Sequence, residues 1–274
     1  MSERPTPVII VSGHTGKGAD VTMQALQLGA FDCYEKPDGH QGNLLAGDGG
    51  VLAHTVRLAA RHGVRKNQPV VRRAVKGVQA VMDQDQQMGS TRVIAIGAST
   101  GGVEALTKLL AQWPRNCPPT VIVQHISGTL AKALARRLDG ISPASVMLAE
   151  SDRYLEAGHV YIAPGNERHL EVRGRGRLIS KLVQSDPVSG HRPSVDVLFE
   201  SVAKIAPGAA TGILLTGMGE DGARGLLAMR KVGCETIAQD EATSVVYGMP
   251  RVAYELGAVA HVLPINRVVQ TVFA

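Results

Sequence analysis

The stretch Val93-Ile94-Ala95-Ile96-Gly97-Ala98-Ser99-Thr100-Gly101-Gly102 decides how this chain is read. Its first four residues form a short, wholly apolar run, as a strand buried on both faces requires. The glycine-flanked serine then marks a tight turn. Beyond it, Val103, Leu106, Leu110 and Trp113 recur at the spacing of an amphipathic helix, which Pro114 ends. Working outward, the same alternation repeats. Strands are expected at Val93–Ile96, Thr120–Val123, His159–Ala163, Gly212–Leu215 and Glu235–Ala238, with helical segments between them. That alternation predicts an α/β fold: a doubly wound, mainly parallel sheet with helices on both faces. Arg168 to Val183 holds two short β-like runs around Gly174 and Gly176, expected as a small hairpin on the sheet edge.

In open parallel sheets, functional groups gather at the carboxyl ends of the strands, and that rule selects a short list. Ser99 lies in a Gly-x-Ser-x-Gly turn between strand and helix, where the hydroxyl is presented at the sheet's edge and backbone N–H groups face a bound oxygen. The plain alternative is a serine that caps the helix. A serine hydroxyl is a weak nucleophile and needs a neighbouring base, usually a histidine oriented by a third group. Of nine histidines, His125 directly follows a clear buried strand, Val121-Ile122-Val123-Gln124, and so shares a strand-tip position with Ser99. For the third group, Asp221 follows the strand Gly212 to Leu215. Asp240, after the next strand, is its rival and Glu220 a weaker one; Asp196 is expected in the first turn of a helix after Pro193.

A reading from another class competes. Gly217-x-Gly219-x-x-Gly222 follows a strand, opens a helix and has Asp240 downstream, as in a dinucleotide-binding fingerprint. Glu220 and Asp221 oppose it, since both would sit beside an anionic pyrophosphate. The segment Gly13 to Gly18 is not a phosphate loop: Val11 stands where the first glycine belongs, and Gly18 follows Lys17 in place of Ser or Thr.

Composition sets the outer bounds. Of 274 residues, 44% are hydrophobic and 19% charged, an ordinary balance for a globular chain, with aromatics at only 3%. Cys33, Cys117 and Cys234 are far apart, which suggests neither a zinc site nor a disulfide framework and fits a reducing cytoplasmic setting. No signal-peptide core opens the chain and no apolar run approaches a membrane span. The net charge of +5 is local. Residues 49–82 carry Arg57, Arg61, Arg65, Lys66, Arg72, Arg73 and Lys76 with no acid, so the rest is net acidic. Without interleaved aromatics this strip does not read as a nucleic-acid site. It is a solvated linker face or a docking strip for an acidic partner.

Upstream, Pro7–Val11 reads as a strand, Ala19–Leu28 as a helix and Phe31–Glu35 as a second strand. Two strands and a helix cannot bury a core alone. The expected organisation is a partial unit over residues 1–62, a basic and polar linker over 63–89, and a catalytic domain over 90–274.

Taken together, Gly97-Ala98-Ser99-Thr100-Gly101-Gly102, Val123-Gln124-His125, Val160-Tyr161-Ile162-Ala163-Pro164-Gly165 and His191-Arg192-Pro193-Ser194-Val195-Asp196 resemble the chemotaxis protein-glutamate methylesterase (CheB-type) family. So do Leu215-Thr216-Gly217-Met218-Gly219 with Asp221-Gly222-Ala223, and Ala238-Gln239-Asp240 through Gly248-Met249-Pro250. The resemblance spans about residues 90–270 and displaces the dinucleotide reading. It implies hydrolysis of glutamyl methyl esters on methyl-accepting chemoreceptors, and often deamidation of receptor glutamines. Ser99 would be the nucleophile, His125 the base and Asp221 its orienting acid, with Thr100 and the Met218 backbone shaping the oxyanion site. No metal or organic cofactor is implied, and no nucleic acid or membrane insertion. His191 falls in a shared motif without an assigned role. The N-terminal piece resembles the last part of a response-regulator receiver, Ser12 matching its switch hydroxyl and Lys36-Pro37 its phosphate-contacting lysine and following proline. The phosphorylated aspartate is expected upstream of residue 1, and a chemotaxis histidine kinase would be a partner if a complete receiver exists there. Cys33 stands where an aromatic is usual in that family.

Overall fold

The structure, a computed structural model, describes residues 6–12, 16–36, 50–62, 93–165, 167–174 and 176–274. The expected linker over 63–89 and the Gly-rich stretch 38–48 lie outside them.

A seven-stranded parallel sheet organises the larger part. It contains β3 (Val93–Ala98), β4 (Thr120–Gln124), β5 (Ser145–Leu148), β7 (His159–Ile162), β10 (Ala210–Leu214), β11 (Glu235–Gln239) and β12 (His261–Leu263), in the order β12-β11-β10-β3-β4-β7-β5. Alternate residues of each central strand feed opposite cores, as the two-residue period of a strand demands. On β3, Ile94, Ile96 and Ala98 enter one core and Val93 and Ala95 the other. The first core is covered by α3 (Gly102–Leu110), α4 (Gly128–Asp139) and α8 (Ile265–Val272). The second is covered by α5 (Val195–Ile205), α6 (Ala223–Lys231) and α7 (Met249–Glu255). Trp113, just past α3, is fully buried; its indole N–H donates to Thr120 Oγ1 at 3.2 Å, and Phe273 meets its ring edge-on. That satisfies the polar end of a side chain whose burial is otherwise purely apolar.

The hairpin predicted around Gly174 and Gly176 forms as β8 (His169–Arg173) and β9 (Ile179–Val183). It does not extend the main sheet's edge. With β6 (Arg153–Tyr154) it makes a separate antiparallel sheet in the order β6-β9-β8. The reason is visible in the burial: Leu170, Val172 and Leu178 join the second core beside α5, so the hairpin's apolar face covers that helix layer.

The N-terminal elements are β1 (Ile9–Ser12), α1 (Gly16–Gln27), β2 (Asp32–Glu35) and α2 (Val51–His62), with β1 and β2 a parallel pair. As the sequence requires, this piece does not build its own core. Ala19, Met23 and Leu26 of α1 pack into the first core of the large sheet, beside α4. Phe31 and Ala59 close on Val246, with Ile9, Leu58, Met218 and Val245 around them. Val8 and Val11 stay more than a third exposed, at 37% and 39%.

Candidate active site

Parallel pairing places three strand ends side by side. Ala98 of β3 is in register with Gln124 of β4, and Gly97 with Leu214 of β10, so Ser99, His125 and the loop to Asp221 leave the sheet at one edge. The His125 N–H donates to Ala98 O at 3.1 Å and the Ser99 N–H to Thr216 O at 3.0 Å, which pins both strand tips. Gln124 adds a clamp from beneath, its Nε2 donating to Ser99 O at 2.9 Å. Gly101, at φ +80°, opens α3 from the left-handed region, where a side chain would be strained. Gly217 is required by proximity: a Cβ there would stand 2.8 Å from the Ser99 Cβ.

His125 Nε2 lies 2.8 Å from Asp221 Oδ2. An ionised carboxylate only accepts, so Nε2 carries the proton and Nδ1 is left with its lone pair. Nδ1 is buried and has no hydrogen-bond partner among the described residues. In the familiar serine-protease triad it is Nδ1 that faces the acid, whereas here it is Nε2.

Asp221 is almost wholly buried and receives every donor it can hold. Ser194 Oγ–H donates to Oδ1 at 2.7 Å and Asp196 N–H to Oδ1 at 3.0 Å, while Val195 N–H donates to Oδ2 at 2.7 Å. The two N–H groups are the first of α5, which have no partner within the helix, and the hydroxyl belongs to its N-cap residue. Burial, the largest single influence, pushes its carboxyl up. The His125 ring, the Ser194 hydroxyl and the Val195 N–H together outweigh burial and hold it below the usual carboxylate range.

Asp196 returns the arrangement. Sitting in the first turn of α5, it accepts from Gly225 N–H, in the first turn of α6, at 2.7 Å. Asp221 lies just ahead of Gly222, the N-cap of α6, and accepts from the first N–H groups of α5; Asp196 lies in the first turn of α5 and accepts from that of α6. Each carboxylate therefore sits at the positive end of the other's helix dipole. Burial, together with the charge of Asp221, raises the Asp196 carboxyl to about 6. Asp196 is thus in the helical first turn expected from the sequence, with a cross-helix bond the sequence could not show.

Other expected residues fall as follows. Asp240 accepts from the backbone and hydroxyl of Thr243, a local turn apart from His125. Glu220 is exposed and pairs with Arg224 at 3.6 Å. Thr100 is buried, its hydroxyl donating to Asp32 Oδ2 at 2.6 Å. Burial raises the Asp32 carboxyl, and the bonds from Thr100 and the Cys33 N–H oppose that rise. Met218 is half-buried against Phe31 and its neighbours. Ser12 ends β1 and Lys36 directly follows β2, joined by Lys36 N–H to Ser12 O at 2.8 Å. A narrow cleft beside Ser99 is shared by both parts of the chain, with Leu26, Phe31 and Asp32 facing Gly101, Gln124 and Ile126. Sequence reasoning gave no role to Ser194, Gln124 or His191. A serine directly ahead of an apolar helix was a readable N-cap signal; the other two carried none.

No group of three His, Cys, Asp or Glu side chains that could hold a metal occurs among the described residues, and no described helix is long and apolar enough to cross a membrane. Asp221 of the Gly217–Gly222 loop is held by the α5 N-terminus and the His125 ring, and the N-terminus of α6, where a pyrophosphate would sit, is taken by the Asp196 carboxylate.

Residues 94–272 match the family model described as CheB methylesterase. The chain is 49% identical over 272 residues to a protein-glutamate methylesterase/protein-glutamine glutaminase of Agrobacterium fabrum, covering 97% of this chain and 74% of that one. It is 50% identical over 269 residues to the corresponding protein 1 of Rhizobium johnstonii, covering 98% and 75%. The crystal structure of the Thermotoga maritima CheB methylesterase catalytic domain matches with a TM-score of 0.65 at 37% identity, covering 67% of this chain and 97% of that one.

Proposed function

Because the chain belongs to the CheB methylesterase family, we propose that it hydrolyses glutamyl methyl esters on methyl-accepting chemoreceptors through a triad of Ser99, His125 and Asp221, and deamidates receptor glutamines at the same site. The observation that carries the triad is the 2.8 Å bond from His125 Nε2 to a carboxylate already held by three other donors, on a strand tip next to Ser99. In the first step the Ser99 oxygen attacks the ester carbonyl while His125 Nδ1 takes its proton. The tetrahedral oxyanion is met by the backbone N–H groups of Thr100 and Met218. Such preorganised donors contribute roughly 3 kcal/mol each to lowering the barrier. Methanol departs with the proton held on Nδ1, and a water molecule activated by the same nitrogen hydrolyses the acyl-enzyme. Asp221 stays ionised throughout and stabilises the transient imidazolium.

Residues 1–62 are read as the end of a regulatory receiver that covers the catalytic part. Support comes from the cleft that Phe31 and Asp32 share with Ser99, and from the Asp32 bond to Thr100. Ser12 and Lys36 match its switch hydroxyl and phosphate-contacting lysine, and a chemotaxis histidine kinase is a partner if a complete receiver exists upstream.

The test is methanol release from methylated chemoreceptor membranes by the full chain, by residues 90–274 and by Ser99→Ala. Release by the wild-type proteins and none by a folded Ser99→Ala is the expected outcome. Release by Ser99→Ala would remove the serine mechanism.

A further inference from the structure

We infer that His169 is a positioning residue for the acid of the site: by accepting the Ser194 N–H it fixes the α5 N-terminus, and with it the donors that hold Asp221. The inference rests on the triad reading above. His169 opens β8 and is fully buried. A buried imidazole costs free energy unless its nitrogens are satisfied, and here both are. Ser194 N–H donates to Nδ1 at 3.1 Å, so Nδ1 supplies a lone pair and the ring proton sits on Nε2, which donates to Asp186 O at 3.0 Å.

The need for that bond follows from an accounting of the helix end. An α-helix leaves its first four N–H groups without an internal partner. In α5 each of the four is placed. Ser194 N–H goes to His169, Val195 N–H and Asp196 N–H go to Asp221, and Val197 N–H goes to the Ser194 hydroxyl oxygen at 3.4 Å. Ser194 is also the residue whose hydroxyl donates to Asp221. A turn of the chain at Ser194 would therefore carry all three α5 donors off the carboxylate together, and the ring that opposes such a turn is His169. Its own support is rigid, since β8 is paired with β9 and its Val172 N–H donates to Ser201 Oγ of α5 at 2.9 Å. The second bond of His169, to Asp186, leads elsewhere. It anchors the far end of the segment carrying His191, whose ring lies against that of His125 with centroids 3.7 Å apart. The two nitrogens of His169 thus reach the site by separate routes, and the route through Nδ1 is the one assigned here.

The test replaces the nitrogens one at a time in the full chain. Asparagine sets an amide oxygen where Nδ1 stands and keeps the Ser194 bond; glutamine reaches the Nε2 position and keeps only the Asp186 bond. Methanol release from methylated chemoreceptor membranes gives kcat, KM and their pH dependence for wild type, Ser99→Ala, His169→Asn and His169→Gln. For His169→Gln, kcat is expected to fall roughly 10- to 100-fold with KM within about twofold, the scale of a small misplacement of a catalytic group. Its acid limb should also move to lower pH, because a less firmly held Asp221 supports the His125 imidazolium less. His169→Asn is expected to recover most of kcat and the wild-type limb. Equal kcat in the two folded variants, or glutamine the better of them, overturns the inference. If neither variant folds, the nitrogen-15 signals of His169 in the wild type decide: an unprotonated Nδ1 is required, and a protonated one overturns the inference. Failure of the triad reading looks different, since Ser99→Ala would then retain turnover, and the role given to His169 would fall with it.

Discussion

Replacing Asp221 by asparagine tests the centre of the site, and the structure sets the expected size of the effect. Four donors converge on this carboxylate: His125 Nε2–H and Val195 N–H on Oδ2, Ser194 Oγ–H and Asp196 N–H on Oδ1. An amide offers one oxygen and two N–H donors, so either orientation sets an NH2 against one of those pairs. With the NH2 toward Ser194 and Asp196, the hydroxyl can turn to accept but the Asp196 N–H is left unsatisfied. Nε2 stays protonated and Nδ1 remains basic, without a full negative charge to support the imidazolium. With the NH2 toward His125, the Val195 N–H is orphaned and the ring must move its proton to Nδ1, which destroys the base. Each orientation strands one buried N–H, at about 1–3 kcal/mol, and turns charge-assisted bonds into neutral ones. Asp221→Asn should therefore lower unfolding stability by about 2–4 kcal/mol in urea titration. Activity should fall between about 10²-fold and the roughly 10⁴-fold seen when a triad aspartate is amidated and the tautomer is wrong. A variant that keeps near-wild-type methanol release would refute the assignment of Asp221 and return attention to Asp240.

Three further outcomes follow from the geometry. Gly217→Ala places a Cβ 2.8 Å from the Ser99 Cβ and against Met249 Sδ; Ser99 must shift, and kcat should fall on the order of 10- to 100-fold while circular dichroism shows the fold intact. Asp196→Asn keeps an acceptor for Gly225 N–H but removes a carboxyl raised from 3.8 to about 6. A group with a raised folded-state pKa contributes its stability fully below its unfolded value and loses it as pH rises through the folded one. Urea midpoints of the wild type should thus carry a falling component between about pH 4 and 6 that the variant lacks, and identical pH profiles would count against it. Asp221, shifted the other way, costs stability only as pH drops below that window. Asp32→Ala frees the Thr100 hydroxyl, so methanol release by the full chain should rise; a fall would mean that Asp32 supports the site and does not cover it.

What the sequence determined by itself was the frame. Apolar runs too short and too uniform for surface strands, alternating with helical spacing, leave a parallel sheet as the way to bury them, and such a sheet delivers its loops to one edge. The neighbouring positions of Ser99 and His125 followed from that geometry, because adjacent strands with carboxyl ends at one edge bring the next residues together whatever the side chains. The partner of His125 did not follow. Asp221 and Asp240 both stand after strands, and the pattern of residues is blind to direction; family resemblance preferred Asp221, and in the structure Asp221 meets the His125 ring and the α5 N-terminus while Asp240 is held in the Thr243 turn. The hairpin was legible as a hairpin, yet its place was not, since joining an edge or covering a helix depends on which face finds an apolar partner. The hold of His169 on Ser194 and the reciprocal bonds that Asp196 and Asp221 make to each other's helices belong wholly to tertiary structure. They join residues 25 and 29 positions apart, and no local period encodes contacts between loops that meet only after the sheet has formed.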